Sequence, residues 1–318
     1  MSEPNVPPLP GPRRLSVRHE TRYAYDAPVE VAHHSAWLRP RETPWQAVRQ
    51  WRLEIEPAPD APVQESRDAF GNWRHGFGHD QVHDHLTVCS SFQVELTTTA
   101  MMGPETDAPS PEWESVVKSL SYRAGQQQPE AAAFVPGTEF APRHAGLAAF
   151  GRDLFVHGRG LAELAWELML RVHAHMRYQP HSTDVATSAV QALRQRSGVC
   201  QDFAHLMIGV LRSHGLAARY VSGYLLTHPP PGQARLVGAD ASHAWVAVWC
   251  PVQGWLALDP TNAMRAGQDH VTLAWGRDYA DVAPLRGVIR GGGQAVPQVA
   301  VTVAPVDDDS ATAGPPQP

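Results

Sequence analysis

Three of the 318 residues have types and settings suited to thiol chemistry: Cys200, His243 and Asp259. Cys200 follows Ser197-Gly198-Val199 and opens a stretch in which Phe203, Leu206, Met207, Val210 and Leu211 recur at helical spacing. A helix starting there turns its unpaired N–H groups and the positive end of its dipole toward the sulfur, and both favour an anion. A thiolate so placed is a nucleophile near neutral pH. The plainer reading of a free cysteine is a small buried filler. A base within reach separates the two readings.

The stretch Asp240 to Pro260 supplies that base. It has the pattern of two strands around a Pro251–Gly254 turn. On the first strand His243, Trp245, Ala247 and Trp249 share one face, and Ala244, Val246, Val248 and Cys250 the other. An odd number of turn residues sets Trp249 against Trp255 and Trp245 against Asp259. His243 and Asp259 then lie on one face as diagonal neighbours, ~7 Å apart. An even number would part them. The odd register also keeps Leu256 and Leu258 with Val246 and Val248, so burial and chemistry call for the same pairing. Nucleophile, base and orienter then follow in the order Cys, His, Asp.

These residues lie in four blocks, Gly198–Ala204, Gly215–Tyr224, Ser242–Trp245 and Leu258–Thr261, that together resemble the transglutaminase-like superfamily of papain-like thiol enzymes. His19–Val29, Asp68–Asn72, Gly276–Val282 and Pro284–Gly287 are similar to its bacterial cysteine peptidase subfamily with an N-terminal β domain, so the likeness spans residues 15–290. The resemblance implies an α+β fold, in which a papain-like core packs the cysteine-bearing helix on an antiparallel sheet. It implies that Cys200 attacks an amide carbonyl, His243 shuttles the proton and Asp259 holds the imidazole. It also implies an aromatic donor for the oxyanion before the catalytic helix; Tyr178 fits that place, with a packed core tyrosine as the alternative. Asp202 is either a first-turn carboxylate complementing the dipole or a support to the site, and in both readings it does no chemistry.

The elements that must position this set follow from pattern. A chain this long favours two domains. After a proline-rich, disordered 1–12, strand-like alternation over Leu15–Tyr25, Val29–Leu38, Gln46–Glu56 and Leu86–Leu96 predicts an all-β sandwich over 13–105. Residues 106–159 connect it to the core. There Ser110 as N-cap and Pro111 at the first helical position open a helix with Trp113, Val116, Val117 and Leu120 inward. The core is expected over 160–292. It comprises a helix from Leu161 to Met176 with a Glu167–Arg171 pair, a short helix capped by Ser188 and Gln191, and a strand from Ala218. A surface loop from His228 to Gly232 lies near the cleft, a last strand falls in 293–304, and 305–318 is a disordered tail.

Composition narrows the function further. There is no 18-residue apolar run and no apolar leader at the start, which argues against membrane and secretion. Three cysteines make no disulfide framework, which points to the cytoplasm. A net charge of −6 without a basic run argues against nucleic acid. His75, His79, His83 and His85 lie close together, but in a strand-and-turn pattern without ligand spacing, so no metal is expected there. His173 and His175, two apart on a helix, diverge. The expectation is a cofactor-free thiol amide hydrolase acting on peptide or isopeptide bonds of a peptide or protein substrate. A glutamine acyltransferase and a non-catalytic binding scaffold are the alternatives. The intact Cys–His–Asp set weighs against the scaffold, and the lack of a calcium-loop pattern against calcium-dependent crosslinking.

Overall fold

The computed structural model describes residues 11–97, 110–125, 127–180, 182–227 and 242–306. The expectations for the first ten residues, for residues 98–109 across the end of the β domain and the start of the connection, for the loop from His228 and for the tail from 307 fall outside these residues. The first sheet is built on β1 (Arg13–Ala36), one strand of 24 residues where alternation alone predicts two separated at Asp26-Ala27-Pro28. Its first half pairs with β5 (His83–Leu96), which in turn pairs with β2 (Gln46–Glu56). Its second half pairs with β4 (Trp73–His79), and β4 with β3 (Gln64–Arg67). The register shifts between Ala24 and Val29. A slip of this kind bends a strand, and here one continuous antiparallel sheet curls over its own apolar face. Leu15, Val17, Leu86, Val88, Phe92 and Val94 line that face.

Two late strands return to this sheet. β13 (Leu285–Gly291) pairs with the second half of β1 and β14 (Gln298–Pro305) with the first. Residues 285–291, grouped with the catalytic core on sequence grounds, therefore belong to the first sheet. Strand partners far apart in sequence leave no local signal, so the pattern identifies the strand without its neighbour.

The second sheet is five-stranded in the order β11-β10-β9-β8-β12, all antiparallel: β8 (Ala218–Leu225), β9 (Ser242–Cys250), β10 (Gly254–Asp259), β11 (Met264–Arg265) and β12 (His270–Gly276). Helix α5 (Cys200–Ser213) lies against its Ala244, Val246 and Val248 face. Residues 201–212 of this helix are all buried. The other helices surround α5: α1 (Trp113–Leu120), α2 (Ala145–Gly151), α3 (Leu161–His175) and α4 (Ala189–Gln195). The short α6 (Tyr279–Val282) follows β12. Ser110 caps a different helix from the one expected. Its Oγ accepts from Ala162 N at 2.9 Å, in the first turn of α3, while α1 starts after Glu112.

The two sheets share a core in which Tyr224, Leu226, Val271 and Leu273 meet the apolar face of the first. Side-chain amides complete the junction. Gln46 exchanges hydrogen bonds with the backbone of Thr272 at 2.7 and 2.8 Å, and Asn72 does so with Trp275 at 2.8 and 3.0 Å. Each amide copies a strand partner along β12, satisfying backbone groups an edge would leave open.

Candidate active site

Cys200 is set by a turn and a cap. β6 (Arg177–Tyr178) runs parallel to β7 (Ser197–Gly198), which leads the chain into α5 at Cys200. Asp202 Oδ2 accepts from Val199 N at 2.8 Å and from Thr183 Oγ1 at 2.7 Å, so this carboxylate caps the helix that carries the thiol. A Cβ on Gly198 would come within 2.5 Å of Asp202 Oδ2, so the close approach needs glycine there. At the other end Gly215, at φ +84°, stops the helix. Cys89 and Cys250 are buried, whereas Cys200 is part-exposed.

The hairpin has the odd register that its alternation predicts. Trp249 pairs with Trp255 and Val246 with Leu258. His243 Nε2 and Asp259 Oδ2 are 2.7 Å apart, and both residues are buried. Trp249 and Trp255 pack, partly buried, against the core that contains α5. Trp245 packs instead with Val221, Ala247 and Ala266 on the far side of the sheet. Helix α5 takes the aliphatic face of β9, and the Trp245 indole lies on the other.

Burial opposes charge on His243, but hydrogen bonds with Asp259 and Cys200 outweigh it and push the ring up to about 10. With Nε2 on the carboxylate, Nδ1 is the nitrogen that serves the sulfur. Burial likewise opposes charge on Asp259, yet bonds from His243, His270 and Asn262 hold it far below the ordinary carboxylate range. Two of these donors escaped sequence analysis. Asn262 Nδ2 donates to Asp259 Oδ2 at 2.7 Å, and His270 Nε2 lies 3.2 Å from the same oxygen. The available signal was the demand itself: a buried carboxylate needs several donors, and Asn262 sits three residues beyond Asp259 on the same turn. His173 steadies that turn through the carbonyls of Pro260 and Thr261.

Among the described residues, His243, Asp259 and His270 are the one group of three ligating side chains whose atoms lie within 4.8 Å of one another. An ion there would have to displace both imidazole–carboxylate hydrogen bonds. The arrangement suits proton handling.

Cys200 and His243 open onto a cavity of about 370 Å³ whose walls come from both sheets. Tyr178 and Tyr220 stand on the core side, and Thr21 and Tyr23 of β1, Leu285 of β13 and Val299 of β14 on the other. Tyr178 is half-exposed, and burial together with the neighbouring Cys200 raises its hydroxyl, which stays protonated at neutral pH. Tyr220, missed in the sequence, is buried on the same cavity. His75, His79 and His83 lie in the first sheet, away from this site. His79 and His83 flank the β4–β5 turn, and the hairpin brings their ring centroids to 5.0 Å.

Comparison with known proteins agrees with this architecture. The family described as the bacterial transglutaminase-like N-terminal region matches residues 15–95, and the transglutaminase-like superfamily matches residues 154–260. An uncharacterized protein of Mycobacterium tuberculosis is 38% identical over 309 residues, covering 95% of this chain and 96% of its own length. A protein-glutamine gamma-glutamyltransferase of Pseudomonas aeruginosa is 48% identical over 96 residues, which is 28% of this chain and 14% of that enzyme. The crystal structure of a candidate cysteine protease from Cytophaga hutchinsonii, 18% identical, covers 95% of this chain and 93% of its own with a TM-score of 0.71, a likeness of fold. No helix among the described residues is long and apolar enough to cross a membrane. Both family regions are present in order and full-length relatives align from end to end, so the chain belongs to the transglutaminase-like superfamily, with the bacterial N-terminal region attached.

Proposed function

We propose that this protein is a thiol-dependent amide hydrolase acting on peptide or isopeptide bonds of a peptide or protein substrate. The observation that carries the reading is His243, held at 2.7 Å by a buried Asp259, raised also by the neighbouring Cys200 and sharing one cavity with it. Cys200 Sγ attacks the amide carbonyl and forms a C–S bond. The imidazolium of His243 gives its proton to the departing amine as the C–N bond breaks. Water then attacks the thioester, His243 takes its proton, and the acid leaves as the C–S bond breaks. Tyr178 O–H and the Cys200 backbone N–H serve the oxyanion in this scheme. We place the reaction in the cytoplasm, where an unpaired thiol stays reduced.

Acyl transfer from glutamine to an amine uses the same residues, and the 48% identity to the Pseudomonas aeruginosa enzyme favours it. Transfer requires that water be kept from the thioester. The part-exposed Cys200 supports hydrolysis as the leading reading. Incubation of the protein with peptide amides and a labelled primary amine separates the two. Release of free acid, lost in Cys200→Ala and kept in Cys89→Ala and Cys250→Ala, is the expected result. Label incorporated into protein would transfer the assignment to the acyltransferase.

A further inference from the structure

Asp259 is bonded more heavily than the steering of one imidazole requires. Its Oδ1 takes the backbone N–H groups of Thr261 and Asn262 at 2.9 and 3.2 Å. Its Oδ2 meets His243 Nε2 at 2.7 Å, Asn262 Nδ2 at 2.7 Å and His270 Nε2 at 3.2 Å. These donors differ in origin. Thr261 and Asn262 sit on the turn that carries Asp259 and move with it. His270 opens β12, on the opposite side of the sheet from β10 with β9 and β8 between them.

The tautomer of His270 is set by its surroundings. Gly267 N–H donates to His270 Nδ1 at 3.2 Å, so the neutral ring carries its proton on Nε2, the nitrogen aimed at Asp259. The side chain is fully buried. Trp245 lies edge-on to it, with centroids 5.2 Å apart and planes at 81°, and the His243 ring is 6.1 Å away. Backbone, carboxylate and indole leave this ring one orientation.

We propose that His270 is a positioning residue for the thiol chemistry: its Nε2–H clamps Oδ2 of Asp259 from a second strand, so that the carboxylate presents one fixed lone pair to His243. A carboxylate held only by its own turn can twist about its last bond, and the imidazole it steers follows. A donor on the same oxygen from across the sheet refers that orientation to the rigid scaffold. Partners one step removed from the reacting atoms commonly act in this way. The inference rests on the thiol reading above and goes beyond it in naming what aims the base.

The test compares His270→Leu with His270→Gln in the full chain. The readout is the rate of Cys200 alkylation by iodoacetamide, which needs no substrate and reports how well the imidazole serves the sulfur. We expect His270→Leu to slow alkylation by about 10- to 100-fold. His270→Gln, whose amide N–H reaches the same oxygen, should restore most of the rate. With an amide substrate, kcat should fall in His270→Leu while KM holds. Wild-type alkylation in His270→Leu overturns the proposal, as does a His270→Gln variant that melts like wild type and is as slow as leucine. Should His270→Leu fail to fold, nitrogen-15 spectra of wild type, assigned with His270→Gln, decide: a proton on Nε2 is expected, and one on Nδ1 refutes the clamp. A wild type without amide turnover, yet with the alkylation difference intact, would sink the hydrolase reading and leave the clamp standing.

Discussion

Two groups of buried histidines in this molecule meet opposite surroundings. In the second sheet His243 and His270 converge on an ionised Asp259, and His243 is pushed up to about 10. In the first sheet His34, His79 and His83 gather on the inner face. His79 and His83 donate to the carbonyls of Pro57 and Gln81 at 2.8 and 2.9 Å, and His34 stacks on Phe77. Among the described residues none of these three has a carboxylate partner, and burial, followed by the neighbouring rings, lowers His34 to about 4. Burial acts alike on His243 and His34, against the charged ring in both. A single buried carboxylate reverses the outcome and turns a packing histidine into a base that can carry a proton.

Removing that carboxylate charge tests the contrast most severely. Asp259→Asn should lower kcat by about 10⁴-fold through loss of imidazole orientation. It should also move the alkaline limb of the pH profile. His243 is raised, so the charged ring persists above its ordinary value and activity falls as pH rises through about 10. In Asp259→Asn that fall should come at lower pH, and a limb that stays put removes Asp259 from the triad. Tyr178→Phe should follow in size, at about 10²–10³-fold in kcat with intact alkylation of Cys200, because an oxyanion donor acts on the reaction alone. Wild-type turnover in that variant returns Tyr178 to a packing role.

The smallest effect belongs to the first sheet. Folded His34 stays neutral down to about 4, whereas the unfolded chain takes up its proton near 6.5. Stability from this site is therefore complete above about 6.5 and is lost as pH falls toward 4. His34→Leu should melt close to wild type at pH 8 and above it at pH 5. Equal shifts at both pH values would mean that His34 is not the group that titrates.

Legibility in the sequence followed the range of the forces involved. The helix from Cys200, its glycine stop, the Ser188–Gln191 capping box and the odd register of the β9–β10 hairpin depend on residues a few positions apart, and each is as the pattern predicts. Ser110 shows the limit, since its cap is spent on a helix start 52 residues away. Arg171 shows it too. It pairs with Asp153, while Glu167 goes to Arg159, although Glu167 and Arg171 stand at the right spacing for each other.

The sequence by itself determined the helix that starts at Cys200 and the hairpin that brings His243 to Asp259, because periodicity and turn length act through short stretches of chain. Tertiary structure alone decided that β13 and β14 close the cavity from the first sheet, that Trp245 turns away from α5, and that His270 meets Asp259 from another strand. Those outcomes depend on which distant surfaces pack together. A buried carboxylate collects its donors from whatever the fold places beside it.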